Sequence, residues 1–107
     1  MSDEPYDVKS VEVIAKGEGF VARAFIYAPG EGSPWHRHSV VTDIACCVTG
    51  ALVVQTAAGE LVLHPGDRSV TPPGEVHRVL NRGAEDCRMI LIQHGGRYDF
   101  VTVAAPS

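Results

Sequence analysis

The even spacing of turn residues restricts what this chain can fold into more than any other feature. Between its glycines and prolines lie segments of strand length rich in Val, Ile, Leu and Phe, at residues 8–15, 20–28, 35–41, 43–49, 51–57, 60–64, 68–71, 76–80, 87–94 and 98–103. Short apolar or alternating runs at this interval are the pattern of an all-β sandwich or barrel. Gly17-Glu18-Gly19, Ala57-Ala58-Gly59 and Asn81-Arg82-Gly83 read as hairpin connections, where glycine supplies the positive φ of a tight turn. Pro65-Gly66-Asp67 and Pro72-Pro73-Gly74 read as stiff turns, since their prolines cannot donate to a ladder. No stretch carries apolar residues at i, i+3, i+4 and i+7 between caps, so at most a short helical turn is expected.

At 107 residues the chain makes one domain, residues 1–107, because two would each fall below the size that supports a core. Nine Lys and Arg against thirteen Asp and Glu leave a net charge of -4. The basic field that draws proteins to nucleic acid or anionic lipid is missing, and neither is expected as a partner. Three cysteines, two of them adjacent at Cys46 and Cys47, do not make a disulfide framework, because neighbours on a strand point to opposite faces. The acidic start, without a secretory apolar region, and the lack of an apolar run near ~20 residues lead us to expect a cytoplasmic protein.

The histidines carry the chemical signal. His36 and His38 share one face of a strand-like segment, with Cα atoms about 6.5 to 7 Å apart, so both imidazoles can reach one point. His77 starts another strand just after Pro72-Pro73-Gly74, and Asp43 opens the strand that follows His38. Three imidazoles and one carboxylate suit a divalent transition metal. Taken alone, a His-x-His pair is more often two exposed or hydrogen-bonded polar positions than a metal site.

Gly30, five residues, His36-Arg37-His38, four residues, Asp43, six residues and Gly50 resembles the first motif of the cupins, with Asp where that motif usually has Glu. Gly66, five residues, Pro72-Pro73-Gly74, two residues, His77, three residues and Asn81 is similar to the second motif. The motifs cover residues 30–50 and 66–81. The resemblance implies a small antiparallel jelly-roll β-barrel holding one divalent transition metal per chain (Fe, Mn, Ni or Zn) on His36, His38, Asp43 and His77. It also implies a homodimer. Asp43 is one methylene shorter than Glu, which leaves two arrangements open: a direct ligand, or a carboxylate that orients a water beside three histidines.

Members with such a ligand set include oxygenases, isomerases and lyases. The chain is expected to be a metal-dependent enzyme of one of these types on a small polar or carboxylated substrate, with Asp43 or a metal-bound hydroxide as the base. The alternatives are a module that binds or senses a small ligand without turning it over, and a purely structural metal. Three Phe, three Tyr and one Trp argue against a large aromatic cage.

Other residues read more plainly. His64 and His94 sit at strand ends and read as surface groups. Cys47 shares a strand face with Asp43, which would let it line the cavity, and the cysteines otherwise read as small buried hydrophobes. Trp35, Arg37 and Arg78 alternate away from the ligands. Arg23 reads as an exposed arginine on an outer strand, although it could hold a substrate carboxylate if that face turns inward. Residues 97–100 read as part of a closing strand that packs on the barrel or on a partner, outside the chemistry.

Overall fold

The computed structural model describes residues 6–106. Among them ten strands form and no helix: β1 (Ser10–Gly17), β2 (Phe20–Tyr27), β3 (His36–Arg37), β4 (Thr42–Thr49), β5 (Leu52–Thr56), β6 (Gly59–Leu63), β7 (Arg68–Thr71), β8 (His77–Leu80), β9 (Cys87–His94) and β10 (Val101–Thr102). Each segment read from the sequence overlaps one strand. Two are much shorter than expected, β3 and β10, because the residues beside them spend their polar groups elsewhere. Ser39 donates its backbone N–H and its hydroxyl to the Asp99 carboxylate, and the Asp99 carbonyl accepts from the His38 ring, so neither segment extends its ladder.

The strands form two five-stranded antiparallel sheets, ordered β1-β2-β9-β4-β7 and β10-β3-β8-β5-β6. β9 lies between β2 and β4, far from both in sequence, which makes the fold a jelly roll and not a meander. Alternation is clean on β9, where Cys87, Met89, Leu91 and Gln93 are buried and the residues between them are not. The inward side chains of the first sheet, among them Phe25, Tyr27, Ala45, Cys47 and Met89, meet Leu52, Val54, Leu63 and Val79 of the second in one apolar core. Burial of these groups drives the closure, at roughly 25 cal/mol per Å² of apolar surface removed from water.

Asn81 joins the two sheets and the turn after β8. Its Nδ2 donates to the carbonyls of Tyr27 at 2.9 Å and Glu85 at 2.8 Å, while its Oδ1 accepts from the Gly83 N–H at 2.9 Å. The side chain is buried, so removing it strands carbonyls that water reaches poorly. Asn81→Ala is expected to cost about 2 kcal/mol, read as a lower urea midpoint with an unchanged slope. An unchanged midpoint would mean that water replaces the amide without penalty.

Candidate metal centre

Strand pairing brings the cluster together. His36 and His77 are direct partners across β3 and β8, so their side chains leave the same face of the second sheet. Asp43 and Gln93 are direct partners across β4 and β9 of the first sheet, where Gln93 Nε2 donates to Asp43 Oδ1 at 2.9 Å. His38 stands between the two pairs, in the segment linking β3 to β4. The Gly74 N–H donates to the His38 carbonyl at 2.7 Å, fixing the turn that aims His77. His36, His38, Asp43 and His77 are all buried, and each offers one ligand atom within 4.8 Å of the others. The structure thus gathers the four residues that the sequence singled out.

The tautomers can be read from the hydrogen bonds. His36 Nδ1–H donates to the Pro34 carbonyl at 2.7 Å, and His77 Nδ1–H to the Glu75 carbonyl at 2.9 Å, each two residues back along the chain. His38 Nδ1–H donates to the Asp99 carbonyl, 61 positions away. With every Nδ1 committed to a carbonyl, it is the Nε2 atoms that remain for a metal, the usual way a protein fixes the orientation of a ligating histidine.

His77 Nε2 lies 3.0 Å and His38 Nε2 3.1 Å from Asp43 Oδ2. The His38 approach lacks hydrogen-bond geometry, which leaves that buried nitrogen with no hydrogen-bond partner. A buried imidazole nitrogen facing a carboxylate at this distance needs a positive charge there, a proton on the ring or a metal ion between the two. Neighbouring ligands at about 2.1 Å from an ion, at right angles, stand about 3.0 Å apart, so the spacing of these atoms fits a metal.

The electrostatics of the cluster set its charges. Burial lowers the His36 imidazole to about 4 against the opposing Pro34 carbonyl, with His77 and His38 adding to the fall, so the ring is neutral near pH 7. Burial alone would lower His38 too, but the Asp43 carboxylate outweighs it and raises that ring. Burial alone would raise the Asp43 carboxyl, yet His38, His77 and Gln93 hold it well below the usual carboxylate range. The site therefore keeps one firm negative charge facing imidazole nitrogens.

A cavity of about 20 Å³ adjoins the cluster, space for about one water. Its walls hold three features that the sequence reading did not give. First, Tyr6, Phe25, Tyr27, Tyr98 and Phe100 all line it, so most of the chain's few aromatics converge here on a cavity too small to be a large aromatic cage. Second, Arg23 faces inward: it lines the cavity, donates to Gln93 Oε1 at 2.6 Å and lies over the Phe25 and Tyr98 rings. The register of β2 against β9 pairs Arg23 with inward-facing Leu91, which puts it on the core face. Third, residues 97–100 are not strand, and Tyr98, Asp99 and Phe100 border the site. Phe100 stacks on His36 with centroids 4.1 Å apart, and Tyr98 lies 5.4 Å from His38.

Gln93 carried a signal that the sequence reading passed over, as the one polar residue in the inward series Met89, Leu91, Gln93. His64 and His94 are exposed, as read. Cys47 packs in the apolar core and its thiol donates toward the Gly50 carbonyl, away from the cavity. Arg78 lies over Trp35 on the outer side of the second sheet.

Since the Asp99 carboxylate clamps Ser39 and its carbonyl holds His38, Asp99→Ala is expected to weaken metal affinity about tenfold, the lower end for residues that orient ligands. Competition with a chelator of known affinity measures this, and an unchanged constant would mean the backbone alone holds the carbonyl in place.

Residues 23–93 match the family model described as "Cupin domain". A germin-like protein, subfamily T member 3, of Arabidopsis thaliana is 31% identical over 70 residues, 61% of this chain and 31% of that one. The chain thus spans about a third of the length of that curated relative. Among solved structures, an uncharacterized conserved protein with a double-stranded beta-helix domain from Klebsiella pneumoniae subsp. pneumoniae MGH 78578 superimposes with TM-score 0.79 at 21% identity, over 97% of this chain and 89% of that one. An oxalate oxidase in complex with the substrate analogue glycolate superimposes with TM-score 0.71 at 25% identity, over 79% of this chain and 46% of that one.

Proposed function

Because this chain belongs to the cupin family, we propose that it holds one divalent transition metal on His36, His38, Asp43 and His77 and acts there on a small carboxylated substrate, as a metal-dependent enzyme of oxygenase, isomerase or lyase type. The convergence of three Nδ1-anchored imidazoles and an ionised carboxylate on one buried point carries this reading. Three nitrogens and one oxygen suit Fe(II), Mn(II), Ni(II) or Zn(II) alike. Such an ion supplies Lewis acidity, polarising an oxygen of whatever binds beside it.

The chain's own residues then account for selectivity. Arg23 sets a guanidinium at the cavity wall, a fork matched to a carboxylate, and Gln93 holds both Arg23 and Asp43 in place. Tyr98 and Phe100 shield the cluster from water. Asp43, held ionised by His38, His77 and Gln93, contributes a negative charge to the cluster. The glycolate-bound oxalate oxidase, whose ligand is a two-carbon acid, supports a small substrate.

Loading the untagged protein with Mn(II) and titrating glycolate and oxalate, followed by the Mn(II) resonance signal, tests the site. The expected result is one metal per chain and a carboxylate-dependent change of signal that Arg23→Ala weakens about tenfold or more. No metal above trace, after anaerobic loading with iron as well, would overturn the reading. Assaying the same complexes for product separates the enzyme from the binding module.

A further inference from the structure

The cavity beside the metal cluster has space for about one water, less than a two-carbon acid needs, so a wall must move before such an acid reaches the cluster. A second hollow, of about 200 Å³, lies on the other side of one wall. Gln93 and Tyr98 line both spaces, and Phe20, Val21, Val41 and Arg97 are among the residues around the outer one. Gln93 is buried and holds Asp43 through its Nε2 and Arg23 through its Oε1, so it cannot yield without breaking both bonds. Tyr98 is partly exposed, and its ring packs 5.1 Å from the Arg23 guanidinium carbon and 5.4 Å from the His38 ring.

We propose that the Tyr98 side chain is the door between the two spaces, and that a small carboxylate enters the metal cavity past it from the outer hollow, drawn in by Arg97 and received by Arg23. This rests on the proposed function, in which the site takes a small carboxylated substrate. The backbone on either side of Tyr98 is pinned, which confines the movement to its side chain. Before it, the Gly95 N–H donates to the Gly19 carbonyl at 3.0 Å; after it, Asp99 accepts from the Ser39 N–H at 2.7 Å and orients His38. The wall formed by the other aromatics is more firmly closed. Tyr6 Oη lies 2.6 Å from Oη of the fully buried Tyr27, and Phe100 is stacked on His36.

The route also selects by charge. A net charge of -4 disfavours the approach of a carboxylate to the chain as a whole. Among the described residues that line the outer hollow, Arg97 alone is charged, and it is exposed. Val21 lines that hollow and Arg23 lines the metal cavity, two positions apart on β2, so the two spaces follow one another along a single strand face. An incoming anion therefore meets one guanidinium outside the door and a second inside it.

Reaction of the metal-free protein with diethyl pyrocarbonate, followed peptide by peptide in the mass spectrometer, reads how fast a small molecule reaches the buried His38, with the exposed His64 as reference. Tyr98→Ala is expected to speed modification of His38 about tenfold or more relative to His64, while Tyr98→Phe, which keeps the ring, holds the wild-type rate. Val21→Trp fills the outer hollow and should return the Tyr98→Ala protein to the slow rate. An unchanged His38 rate in Tyr98→Ala, or an equal rise in Tyr6→Ala, would overturn the door. A rise that Val21→Trp does not reverse would mean loosened packing and would overturn the route. In the Mn(II)-loaded protein at low salt, Arg97→Ala is expected to slow glycolate association about threefold by stopped flow with dissociation unchanged, and an unchanged association rate would overturn the selection by charge. The histidine reaction needs no metal, so a protein that loads none would refute the proposed function while the His38 rates still decide the door.

Discussion

His77→Ala is expected to lower bound metal from about one ion per chain to trace while the fold persists. His77 is the direct partner of His36 across β3 and β8, and its Nε2 lies 3.0 Å from Asp43 Oδ2, so it links the ligand pair of one sheet to that of the other. Without it, His36, His38 and Asp43 remain, open on the side His77 occupied. Residues that only orient ligands are worth about 10 to 100-fold in affinity, and a ligand itself is worth more, so the loss should exceed about 100-fold. Elemental analysis by plasma mass spectrometry reads the stoichiometry, with the exposed His64→Ala as control. Metal retained near one per chain in His77→Ala would move the site elsewhere. Asp43→Ala divides the two arrangements left open by the shorter side chain, since retention would make Asp43 a residue that orients water and loss would make it a ligand.

Gly32→Ala is expected to destabilise the fold by about 3 kcal/mol or more, as an urea midpoint shift, or to prevent folding. A Cβ at this position would lie 2.5 Å from the Val79 carbonyl oxygen and 3.0 Å from Leu80 Cα. Both are backbone atoms of β8, and Gly32 is bridged to Leu80 there, so no rotamer change relieves the contact. Pushing β8 aside would also move His77, at its start, and metal affinity should fall in any variant that still folds. Gly17→Ala is the control, because nothing lies within 4 Å of its added Cβ and its φ is not positive. A small effect at Gly32, comparable to that at Gly17, would mean that β8 yields more easily than its packing implies.

Much of the fold was legible because strand periodicity and turn chemistry are local. The segments at 68–71 and 87–94 coincide with β7 and β9. The short β3 and β10 were not legible, since Ser39 and Asp99 find each other over 60 positions and take backbone groups from the ladders. Arg23 was ambiguous for a related reason. Alternation groups Arg23 with Phe25 and Tyr27 on one face, but only pairing with β9 turns that face inward. Gly32 gave no sign at all, because its requirement comes from the backbone of residues 79 and 80.

The amino-acid sequence by itself determined the all-β class, the turns, and the residue types able to hold a metal, because each depends on neighbours a few positions apart. Only the tertiary structure decided that Gln93 grips Asp43, that the Asp99 carbonyl orients His38, and that Arg23 and Phe100 wall the cavity. Those contacts join residues 50 or more positions apart or depend on which strands become neighbours. Period two assigns a side chain to one of two faces, and closure of the barrel determines which face looks inward and what it meets there.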